Sequence, residues 1–90
     1  MHYKDGTPAA IGDVVKGKPY NTPNEVVGTM VYIKAGLETC NCRVAFLELV
    51  EVINVLDHQQ LIAIKGADGI SRAIITRIDY GQCSDFLKIV

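Results

Sequence analysis

Apolar and polar residues alternate along much of this chain, with a period of two rather than 3.6. The alternation is plainest in CNCRVAF. Cys40, Cys42, Val44 and Phe46 fall on one side of an extended strand, and Asn41, Arg43 and Ala45 fall on the other. The spacing predicts a strand over 40–50 with one buried face. EVVGTMVYIK (25–34) is a second strand, in which Gly28 marks a bulge or a close backbone approach. IGDVVK (11–16) is a shorter one. Residues 61–65 and 70–79 are β-branched runs joined by Gly66-Ala67-Asp68-Gly69, the pattern of a hairpin. Residues 1–4 read as a short edge strand, 80–85 as a turn around Gly81, and FLKIV (86–90) as a last strand.

Residues 47–58, LELVEVINVLDH, carry two patterns at once. Leu47, Val50, Ile53 and Leu56 have near-helical spacing, while Val50, Val52, Ile53 and Val55 are β-branched and favour extension. Strand is the preferred reading, with one short helix near 50–59 as the alternative. GKPYNTPN (17–24) is the clearest loop, rich in Gly, Pro and Asn.

About six short strands in a chain of 90 residues predict a single all-β domain, 1–90. A small SH3-like barrel of antiparallel strands is the first expectation and a β-sandwich the second. Closure removes exposed strand edges, and pairing of FLKIV with MHYK is the expected way to close.

Composition narrows the function classes. The formal net charge is −1, so bulk positive charge does not favour a nucleic-acid partner, although a local basic patch stays open. The apolar runs are too short to span a membrane. MHYKDGTPAA reads as a turn rather than a charged segment followed by an apolar one, so no secretion signal is expected. The three cysteines are accordingly expected as free thiols in a reducing, cytoplasmic compartment.

IGDVVKG followed by a loop and VVGTMVYI resembles the opening of KOW-type and other SH3-like barrels, over roughly the first third of the chain. The matching positions are Gly12, Asp13, Val14, Val15, Gly17, Gly28 and Val31. The resemblance implies a small curled sheet and, through the KOW kind, nucleic-acid binding. YKDGTPAAIGDVVKG is also similar to the start of small phage and prophage proteins, a likeness that implies no particular activity.

The candidate chemistry is that of binding rather than catalysis. Cys40, Cys42, Cys83 and His58 have the residue types of a zinc site, but one residue between paired cysteines is too few for the usual spacing, and Val44 and Phe46 beside them point to core packing. Cys83, His58 and Asp57 have the types of a thiol triad without a cysteine-hydrolase signature. The 66–69 turn is too short and too acidic to cradle phosphate. No catalytic residue, metal or cofactor is assigned. Loop 16–24 gathers two lysines, an aromatic ring and amides suited to a ligand with a ring and an anionic group. Lys16, Lys18, Tyr20, Asn21 and Asn24, with Lys34 and Arg43 from neighbouring strands, are the binding candidates. Val50, Val52, Ile53, Val55, Leu61 and Ile62 form a surplus of aliphatic residues, the candidate surface for a protein partner, most simply another copy of the chain. The expected function is therefore a self-associating binding or accessory protein, with a nucleic-acid-binding barrel as the alternative.

Overall fold

The stretches that alternate are the stretches that pair. The computed structural model describes residues 1–36, 40–51 and 64–90. Within them are six strands: β1 (Val14–Gly17), β2 (Val26–Ala35), β3 (Cys40–Glu51), β4 (Ile64–Lys65), β5 (Ser71–Gln82) and β6 (Phe86–Lys88), with a 3₁₀ turn at Cys83–Asp85. The protein is all-β. Its sheet order is β4-β5-β3-β2-β1-β6. The β1–β2, β1–β6, β2–β3 and β4–β5 registers are all antiparallel. The chain falls into two units, Met1–Phe46 with Ile78–Val90, and Leu47–Arg77.

In the first unit, β3 keeps the predicted faces. Cys42, Val44 and Phe46 are buried, Asn41 and Arg43 are exposed, and Cys40 and Ala45 are intermediate. The core joins Cys42 and Val44 to Val15, Met30, Cys83, Phe86 and Tyr3. Phe86 lies fully buried against Gly17 and Gly81, where any Cβ would collide with its ring. Burying a side chain of this size contributes roughly 1.5–3 kcal/mol. Gly28 sits opposite Val15 on β1 and Phe46 on β3. A Cβ there would come within 2.7 Å of Val44 Cγ1, so close approach is the reason for this glycine. The bulge lies elsewhere. Met30 pairs with Val44 and Tyr32 with Arg43, which leaves Val31 as an extra residue.

Three other expectations are corrected. The C-terminal strand pairs with β1, Lys16 facing Leu87, and not with residues 1–4. Those form only a bridge from His2 to Pro8, because Tyr3 turns its side chain into the core and gives its hydroxyl to Asp13 Oδ2 at 2.7 Å. A single N–H from Lys4 reaches the Phe86 carbonyl, at 3.0 Å. The turn expected at 80–85 is strand as far as Gln82, since Asp79 and Gly81 point inward and Tyr80 outward in continued alternation. Finally, the cysteines are not all free. Cys40 and Cys83 form a disulfide across 43 positions, with their Cα atoms 5.6 Å apart, leaving Cys42 as the free, buried thiol. Sequence spacing says nothing of this proximity, which the pairing of distant strands creates. The bond also weakens the ground for a reducing compartment, because disulfides persist in oxidising surroundings.

The second unit contains the hairpin read from the sequence. Ile64 faces Arg72 and Lys65 faces Ser71. Gly66 N–H donates to the Ile70 carbonyl at 2.9 Å, and Asp68 accepts the Ile70 N–H and the Arg72 guanidinium. The expected strand start at 61–63 and residues 52–59 of the alternative helix near 50–59 lie outside the described residues. Val50 and Glu51 belong to β3.

Candidate functional site

The bulge at Val31 sets the chemistry of one face. Met30 points inward, Val31 and Tyr32 both point outward, and Ile33 is half-buried again. Strict alternation from Met30 would have sent Tyr32 into the core. The extra residue instead sets Tyr32 beside Arg43 on the outer face. The Arg43 guanidinium carbon lies 4.7 Å from the centre of the Tyr32 ring and 5.0 Å from that of Tyr80 on β5. Cation–π attraction to two rings holds the guanidinium between them.

Tyr20 completes this aromatic group because the loop carrying it is tied down. Pro19 is fully buried. Tyr20 N–H donates to the Tyr80 carbonyl at 2.9 Å. Asp79, only 3% exposed, accepts the Asn21 N–H at 2.9 Å, Asn21 Nδ2 at 3.1 Å, the Thr22 hydroxyl at 2.8 Å and the Tyr80 N–H at 2.7 Å. Burial alone would raise the Asp79 pKa. The hydrogen bonds from Thr22, Tyr80 and Asn21 outweigh it and hold the carboxyl below its ordinary value.

Tyr20, Tyr32, Lys34, Asn41, Arg43 and Tyr80 line one hollow of about 440 Å³, together with Cys42 and Gly81. Burial pushes the Cys42 thiol up to about 11, so it stands there as an uncharged wall and not as a nucleophile. Lys4, Lys18, Pro19, Tyr20, Ser84 and Asp85 line a second hollow of about 350 Å³. Among the described residues, neither Lys34 nor Arg43 has a carboxylate within ion-pair distance. The arrangement offers flat aromatic surface, a guanidinium held against two rings and a lysine ammonium, which suits a ligand combining a planar ring with an anion.

The binding residues expected from the sequence thus separate. Tyr20, Lys34 and Arg43 come together, and Lys18 lines the second hollow, which shares Tyr20 with the first. Asn21 is engaged in holding Asp79 and is a positioning residue. Lys16 pairs with Glu25 at 3.2 Å and, like Asn24, lines neither hollow. Tyr32 and Tyr80 escape the sequence reading, the first because a bulge changes its side, the second because Gly81 beside it reads as a turn. Of the expected protein interface, Val50 is half-buried, and Val52, Ile53, Val55, Leu61 and Ile62 lie outside the described residues. The exposed aliphatic residues described in the second unit include Leu47, Leu49, Ile64 and Ile74, each 62–72% exposed. Arg77 pairs with Glu48 and Ile64 faces Arg72. Alternation therefore sets these four on one face of the second unit.

Cys40 and Cys83 are bonded to each other and supply no thiolate, while His58 and Asp57 lie outside the described residues. Among the described residues no cluster of three or more His, Cys, Asp or Glu is arranged around a metal position, and no helix is long and apolar enough to cross a membrane. No protein family, curated protein or solved structure matches the chain.

Proposed function

We propose that this is a non-catalytic binding protein for single-stranded nucleic acid, held at the hollow between Tyr20, Tyr32, Lys34, Arg43 and Tyr80. The observation that carries the reading is Arg43 fixed between two exposed tyrosine rings, with a third tyrosine and Lys34 on the same hollow. Stacking needs an unpaired base with a free face, and each base on an aromatic ring contributes roughly 1–3 kcal/mol. Arg43 and Lys34 meet the phosphate. A net charge of −1 suits a ligand held by rings and a local patch better than a duplex held by bulk charge.

The test is fluorescence anisotropy with a labelled single-stranded oligonucleotide at several salt concentrations. Arg43→Ala is expected to weaken binding about tenfold or more, the loss of one ring-supported charge contact. The affinity of the natural protein should fall as salt rises. An absence of binding at low salt, or an unchanged affinity in Arg43→Ala, overturns the reading.

A second reading is favoured by a different observation. The face of Leu47, Leu49, Ile64 and Ile74 is a cluster of exposed aliphatic residues, which marks a protein contact surface. Self-association through this face is compatible with the first proposal.

A further inference from the structure

The two hollows share one wall, Tyr20. We infer that they are successive steps of one track, which binds an extended strand of several nucleotides across the Tyr20 ring and holds a lone nucleotide only weakly. This rests on the nucleic-acid reading above and adds the extent of the ligand to it.

Tyr20 is built as a fixed ridge. The residue before it is buried, its own N–H is held by Tyr80, and the two residues after it are held by Asp79. The ring itself is about half exposed. Each hollow has its own cations. Lys34 and Arg43 line the first hollow, and Lys4 and Lys18 line the second. Lys4 is brought there by its N–H bond to the Phe86 carbonyl, next to the 3₁₀ turn that carries Ser84 and Asp85. Among the described residues, neither Lys4 nor Lys18 is within ion-pair distance of a carboxylate. Asp85 lines the same hollow and repels a phosphate from its side. It accepts a hydrogen bond from an exocyclic amine, as carboxylates do with the cytosine amino group. The second step therefore takes a phosphate on Lys4 and Lys18 and an amine-bearing base edge on Asp85. A single nucleotide can fill one hollow. Only a longer strand reaches both sets of cations while stacking on Tyr20.

The experiment measures binding of 5′-phosphorylated oligodeoxycytidylates of one, two, four and six nucleotides at low salt. It uses the natural protein and the double variant Lys4→Ala/Lys18→Ala, whose exposed positions leave the fold intact. Affinity is expected to rise more than tenfold from one nucleotide to four in the natural protein. In the double variant the rise should shrink to within about threefold. Equal affinity for one and four nucleotides, or a length dependence unchanged in the double variant, overturns the track while leaving the single-hollow reading standing. Binding of no length overturns both.

Discussion

The two units of this chain use the same strand alternation and end with opposite outer surfaces. In Met1–Phe46 with Ile78–Val90, the positions turned away from the core around β3 carry Arg43, Asn41, Tyr32 and Tyr80, with the aliphatic Val31 and Ile78 beside them. In Leu47–Arg77 the corresponding positions carry Leu47, Leu49, Ile64 and Ile74. Water accepts the first set, whose rings are offset by polar tips and charge. The second set exposes apolar area at a cost of roughly 25 cal/mol for each Å² left in water. The period of a strand thus says where side chains point, and the chemistry of the outward positions says what each surface offers: aromatic rings with charge in the first unit and aliphatic carbon in the second.

The largest expected effect is on the staple of the first unit. The Cys40–Cys83 bond closes a loop of 43 positions, for which chain entropy gives about 4 kcal/mol. The variant Cys40→Ser/Cys83→Ser should lose that amount in denaturant unfolding. Amide exchange should quicken in 1–36, 40–46 and 78–90 more than in 64–77. Uniform quickening would mean that the disulfide supports both surfaces alike and that the contrast between them is not one of local stability.

The clamp on the Tyr20 loop comes next. In Asp79→Asn an amide NH₂ replaces an oxygen that accepts two donors, and the loss is expected on the order of 1–3 kcal/mol. The folded-state pKa of Asp79 lies below its ordinary value. Its contribution is therefore complete above the unfolded value, about 3.9, and disappears as pH falls through the lower folded value. The stability difference between natural protein and variant should be constant near neutrality and shrink below about pH 4. Oligonucleotide affinity should fall with it, because Tyr20 loses its fixed position. A variant that keeps full affinity would show that Tyr20 needs no clamp.

These residues also show how far the sequence leads. The faces of β3 are legible because CNCRVAF alternates without interruption, and the 66–69 hairpin because its glycines and aspartate specify a turn. Lys34, Arg43 and Tyr20 are legible as residue types and as neighbours on adjacent elements. Tyr32 is not, since one unpaired residue at Val31 reverses its side and nothing in VVGTMVYIK says which residue bulges. Asp79 is a buried charge, and three of its four donors, on Asn21 and Thr22, stand 58 and 57 positions away. The Cys40–Cys83 bond depends on the same long-range pairing. Contacts set by register and loop closure are invisible to local pattern, and they are the ones that assemble the site.

The smallest effect on stability belongs to the aliphatic face. Leu47 and Ile74 are more than half exposed, so Leu47→Ser/Ile74→Ser removes little packing, and stability should change by about 0.5 kcal/mol or less at each site. If the face is a contact between copies, sedimentation of the natural protein over a concentration series shows a larger species that the double variant lacks. Oligonucleotide affinity per chain should be the same in both, because none of these residues lines either hollow. A natural protein that stays monomeric across the series removes self-association. A variant that loses affinity for the oligonucleotide together with its larger species would join the two surfaces into one function, the strand being bound only by the assembled form.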